Sequence, residues 1–110
     1  MDMSAFCVVQ TTIDDEVRAE DIAEALIERK LAACVQIAPV TSHYVWRGAP
    51  VKEKEFLLAA KARVADFDQI AAVLRELHSY QTPEIIALPI LTGDAAYLDW
   101  ARQATERADG

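Results

Sequence analysis

Glycine is scarce in this chain: Gly48, Gly93 and the terminal Gly110 are the only three in 110 residues. A G-x-G-x-x-G turn or a Walker loop needs glycines at close fixed spacing, so nucleotide folds built on those loops are excluded. Cysteine is nearly as rare. Cys7 and Cys34 both lie in apolar, β-like runs, which predicts two free thiols acting as small buried hydrophobes and no disulfide framework. No apolar run approaches the roughly 18 residues of a membrane span. Met1-Asp2-Met3-Ser4 lacks the basic start of an export signal, so the expectation is a cytoplasmic protein with no membrane partner. Basic charge is short too: 11 Lys+Arg against 18 Asp+Glu give a net charge of −7. That is the wrong sign for neutralising phosphate backbones, so nucleic acid is not an expected partner. A surface of this sign either attracts cations or simply maintains solubility.

Hydrophobic residues, by contrast, are plentiful at 53% with 26% charged, the composition of a globular chain rather than a disordered one. The length leaves room for one domain, residues 1–110, able to bury about two thirds of its unfolded surface. Phe6 to Gln10 is a short valine-rich run and reads as a buried strand. Asp14 and Asp15 cap a following segment in which Ala19, Ile22, Ala23, Leu26 and Ile27 recur at helical spacing. Arg29 and Lys30 close it at the end of a helix that favours cations.

From Ala33 to Trp46 the pattern has period two, and a second such run covers Val51 to Ala62. Arg47-Gly48-Ala49-Pro50 is the only turn-rich stretch between them, which predicts one long hairpin with its tip at Gly48. Asp66 followed by Gln69 resembles a capping box, before a helical stripe of Phe67, Ile70, Ala71, Leu74 and Leu77. Glu84 to Leu88 reads as a fourth strand, with Pro89 tolerated only at an edge or bulge. Asp94 then opens a last helix carrying Tyr97, Leu98, Trp100, Ala101 and Ala104. The order β-α-β-β-α-β plus a C-terminal helix is an α+β, ferredoxin-like arrangement with helices on one face of the sheet.

Hairpin arms of a dozen residues span roughly 40 Å, about twice what the first strand can pair along. They display Val40, Tyr44, Trp46 and Phe56. Unpaired backbone and uncovered aromatics together predict self-association.

Chemistry is thinly signalled. Cys7, Cys34, His43 and His78 match no zinc-finger or H-E-x-x-H spacing. Leu77-His78-Ser79-Tyr80-Gln81-Thr82-Pro83-Glu84 gathers an imidazole, a phenol and a carboxylate where a helix feeds a strand. With Lys61 and Glu55 from the preceding strand they make an acid/base set or an ion pocket conceivable. An ordinary reading stands beside it: His78 closes the helix, Tyr80 packs, and Glu84 pairs with a lysine.

At these residues the chain resembles the CutA family of divalent-cation tolerance proteins over nearly its whole length. The resemblance is carried by Leu31-Ala32-Ala33-Cys34-Val35, by Ser42-His43-Tyr44-Val45-Trp46-Arg47-Gly48 and by Glu55 with Leu57-Leu58-Ala59-Ala60-Lys61. The 77–85 segment and Tyr97-Leu98-Asp99-Trp100 complete it. It implies a ferredoxin-like subunit in a homotrimer with hairpins crossing subunit boundaries, a cytoplasmic role in tolerance of divalent metals such as copper, and assembly similar to P-II signalling proteins. No catalytic reaction and no required cofactor come with it. Some members carry a cysteine where this chain has Thr11 and a histidine where it has Leu77, which leaves His78 as the expected metal ligand.

The leading expectation is a non-enzymatic trimer that binds divalent cations weakly at clefts between subunits. Its expected cleft residues are Tyr44, Trp46, Glu55, Lys61, Tyr80, Glu84 and Trp100, with copper on His78. The alternative is a P-II-like signalling module taking a small anionic ligand in the same cleft, held by Lys61 and stacked on aromatic rings. An enzyme using His78 and Glu84 as acid and base is the third reading.

Overall fold

The computed structural model describes residues 5–107. β1 (Phe6–Ile13) leads into α1 (Glu16–Glu28), and β2 (Ala32–Trp46) returns as β3 (Ala49–Arg63). A short 3-10 turn (Val64–Asp66) precedes α2 (Phe67–Leu77), followed by β4 (Ile86–Pro89) and α3 (Ala95–Ala104). The sheet order is β2-β3-β1-β4 with every pairing antiparallel. This is the expected ferredoxin-like α+β arrangement.

Local chemistry explains most boundaries. Asp15 caps α1 by accepting the Arg18 N–H, and Asp94 caps α3 by accepting that of Tyr97. α1 stops at Lys30, whose positive φ of 56° lets Leu31 N–H reach the Leu26 carbonyl at 2.9 Å. At the hairpin tip Arg47 and Gly48 take φ of 52° and 79°, the two consecutive left-handed residues of a type I′ turn. Pro89 ends β4 at the sheet edge, where its missing N–H costs no ladder bond.

Asp66 departs from expectation. Its side chain does not cap α2; both carboxylate oxygens instead accept the Arg107 guanidinium, at 2.7 and 3.1 Å. A two-point charge-assisted pair holds a carboxylate more strongly than a single backbone N–H does.

Odd-numbered residues of β1 face α1 and α2, and Val9, Ile13, Ile22, Leu26, Leu58, Ile70 and Leu74 form the main core. Leu58 is buried and Phe56 packs against this core. Phe56 is therefore not part of the uncovered surface expected from the sequence, because β3 alternates in register with Ile13. The opposite face is not wholly bare either: Phe6, Leu98 and Ala101 make a second, smaller core where α3 lies across one end.

At the other end the sheet runs out. Ala49–Glu55 pair with β2 alone, since β1 stops at the level of Phe56, so the hairpin overhangs by roughly 20 Å. The radius of gyration, 14.6 Å, exceeds the about 13 Å of a compact chain this long. Tyr44, Val45 and Trp46 on the overhang stay exposed, as do Ile86 and Leu88 on β4.

Candidate functional site: an acidic cleft beneath the hairpin

His78 ends α2, and its two ring nitrogens fix the course of the chain beyond the helix. Nδ1 accepts the Tyr80 backbone N–H at 3.1 Å, which places the ring proton on Nε2, where it donates to the Thr12 carbonyl at 2.8 Å. The imidazole therefore ties the segment after α2 to the end of β1, and the Tyr80 ring lies tilted against it with centroids 4.7 Å apart.

Held this way, the Tyr80 hydroxyl reaches Glu55 Oε2 at 2.6 Å and Glu53 Oε1 at 3.0 Å. Tyr44 donates to the other Glu53 oxygen at 2.7 Å. Farther along, Glu84 accepts the Gln10 side-chain amide at 2.8 Å. Glu53 and Glu55 share a face because β3 alternates, and that face points away from α1 and α2. Burial pushes the Tyr80 phenol well above its ordinary range, and the hydrogen bonds to Glu55 and Glu53 add to this. Tyr44 is pushed up to about 12, first by its hydrogen bond to Glu53.

These groups enclose a cleft of about 740 Å³. One wall is hairpin, with Ser42, His43, Tyr44 and Trp46; the other is the 80–84 segment, with Thr12 and Asp14 at the end of β1. Asp14, Glu53, Glu55 and Glu84 put four carboxylates on the lining, and among the described residues no lysine or arginine joins them. Arg47 stands at the rim, within 3.5 Å of Gln81 and 5.6 Å from the Trp46 ring centre.

The expected site residues separate accordingly. Tyr44, Trp46, Glu55, Tyr80 and Glu84 line this cleft together. Lys61 does not: its ammonium bonds the Gln36 amide elsewhere on the same sheet face. Trp100 lies exposed on α3, 5.5 Å from the Tyr97 ring. His78 supports the cleft from behind, with both nitrogens engaged. Among the described residues, no group of three or more His, Cys, Asp and Glu side chains is placed to hold a metal ion. Asp14 and Glu53 are additions that residue spacing alone did not single out. Glu53 had a legible signal, its period-two relation to Glu55; Asp14 read as a helix cap, a role that Asp15 takes.

The same chain segments match a family model described as the CutA1 divalent ion tolerance protein, over residues 7–104. The chain belongs to this family. A CutA1 relative, the divalent-cation tolerance protein CutA of Thermus thermophilus, is 46% identical over 89% of this chain and 96% of its own length. The human protein CutA is 38% identical over 86% of this chain, which spans 54% of that longer protein. Among solved CutA1 structures, the periplasmic divalent cation tolerance protein CutA from Archaeoglobus fulgidus superposes with a TM-score of 0.89. It is 37% identical and matches over 92% of this chain and 99% of its own. No helix among the described residues is long and apolar enough to cross a membrane.

Proposed function

We propose that this protein serves tolerance of divalent cations, as its relatives' names state for them, by holding cations weakly in the acidic cleft of an assembled trimer. The observation that carries this reading is the lining itself: four carboxylates, and no lysine or arginine among the lining residues. Such a lining attracts cations by its net field. It disfavours the small anionic ligand of the P-II-like alternative, all the more because Lys61 is directed elsewhere. Weak binding follows from donor placement. Carboxylates spread along a wall supply one or two hard ligands at any point, and His78 becomes available to copper only by giving up the Tyr80 N–H. In this reading the chain performs no covalent chemistry and requires no cofactor.

Assembly is supported by the hairpin. A two-stranded ribbon that overhangs its sheet is marginal alone in water, and Tyr44, Val45 and Trp46 on it need cover. Subunits that pack these hairpins against one another place each cleft beside a neighbour, whose carboxylates complete the coordination.

Calorimetry with copper and zinc, run with light scattering, tests the proposal. Weak binding that is lost in a Glu53→Gln/Glu84→Gln variant, by a particle of three times 12.2 kDa, is the expected result. Unchanged binding in that variant removes the cleft from the function, and a stable monomer at micromolar concentration removes the assembly. We also propose a cytoplasmic location, which cell fractionation tests.

A further inference from the structure

The cleft is far larger than one metal ion needs: Glu53 and Glu55 meet at the Tyr80 hydroxyl, whereas Asp14 and Glu84 stand elsewhere on the lining among aromatic faces. Glu55 is the informative residue. It is 5% exposed, and among the described residues its one hydrogen bond is from the Tyr80 hydroxyl and neither ion pair involves it. A carboxylate so buried ordinarily has a cation beside it, because an uncompensated charge away from water is costly. Tyr80 also brings one phenolic proton to two carboxylates, at 2.6 and 3.0 Å, so oxygen acceptors at the centre of the cleft outnumber donors.

We infer that the cleft binds a linear aliphatic amine carrying two or more ammonium groups. The inference rests on the reading of the cleft as a cation site and specifies a ligand class for it. Primary and secondary ammonium groups bring several N–H donors each, which is what Glu53 and Glu55 lack. A second charge farther along the chain meets Asp14 or Glu84 on the same lining. The methylene stretch between charges lies on Tyr44 and Trp46; the Arg47 guanidinium already stands by the Trp46 ring, so the ammonium groups are held by the carboxylates and the rings take the methylenes. The volume, about 740 Å³, falls in the range of small-molecule pockets. A quaternary ammonium carries no N–H and cannot donate to the second Glu55 oxygen, which Tyr80 does not reach, so it is a poor ligand here.

Calorimetric titration of the assembled protein with spermidine tests this, with butylamine and tetramethylammonium as comparison probes. Spermidine should bind more tightly than butylamine, tetramethylammonium should not bind, and affinity should fall as salt rises. Glu55→Gln should weaken spermidine at least tenfold. Because this variant removes a buried charge while keeping the side-chain shape, it should unfold no earlier than the parent. Absence of spermidine binding overturns the inference. So does affinity unchanged by Glu55→Gln, which would mean that the amine only condenses on an acidic surface. A crystal of the protein grown with spermidine should show the amine along the cleft; a hairpin side chain of a second copy filling it instead overturns the inference too. Copper and zinc titrations on the same samples separate the two ideas. Metal binding without spermidine binding sinks this inference alone, and spermidine binding without metal binding sinks the divalent-cation reading alone.

Discussion

Removing one oxygen atom, in Tyr80→Phe, tests how the cleft is held. The lost hydroxyl is the donor to the buried carboxylate of Glu55 at 2.6 Å and a neighbour of Glu53 at 3.0 Å. A hydrogen bond to a charged group contributes roughly 1.5–3 kcal/mol. Glu55 is 5% exposed, so water replaces the donor poorly, whereas Glu53 is half-buried and keeps its bond from Tyr44. The expected cost is therefore set by Glu55, at about 2 kcal/mol. Urea unfolding at one fixed protein concentration, which keeps the contribution of subunit association constant, reads this as a midpoint lowered by about 1 M. The charge on Glu55 is the reason for the size of the effect. In a Glu55→Gln background the same substitution should cost only about half as much, since neutral hydrogen bonds are roughly half as strong. A loss under ~0.5 kcal/mol, within the range of ordinary surface substitutions, or an equal loss in both backgrounds, refutes the reasoning.

Three other outcomes are expected. The phenols of Tyr80 and Tyr44 are both raised, so their contribution to stability is fully present below the ordinary tyrosine value of about 10 and disappears as pH rises beyond it. Phenolate absorbance should show Tyr44 ionising near 12 and Tyr80 later still; ionisation of both near pH 10 contradicts the hydrogen-bonded arrangement. Gly48→Ala meets no atom within 4 Å but retains a φ of +79°, so it should destabilise by about 1 kcal/mol through backbone strain alone; an unchanged unfolding midpoint refutes the type I′ assignment. Finally, Cys7 is fully buried, and burial, with the Asp66 carboxylate behind it, pushes its thiol up, whereas Cys34 is half-buried. A thiol reagent should modify Cys34 first, and equal rates at the two positions would contradict the packing of β1 against the helices.

Local patterns carried the fold well. Period-two alternation on either side of Arg47-Gly48 was enough to place the hairpin, because a two-residue turn with positive φ leaves the strands one register. The stripe from Phe67 to Leu77 and the Asp94 cap were legible for the same reason: each interaction spans three or four residues. Tertiary structure decided what depends on distant partners. Asp66 carried a capping signal, yet Arg107, 41 residues away, took its carboxylate. Period alone told that Phe56 alternates with Glu55, but not which of the two meets the helices; pairing with Ile13 decided that. For the cleft, sequence order put Tyr80 and Glu84 in one suggestive segment and Glu55 and Lys61 on one strand face. It could not show that His78 spends both nitrogens on Thr12 and Tyr80. Nor could it show that Glu55 is buried and accepts from a phenol 25 residues away while Lys61 turns to Gln36. A side chain's hydrogen-bond capacity is a property of its type, whereas the partner that uses it is chosen by whichever backbone the fold brings within about 3 Å.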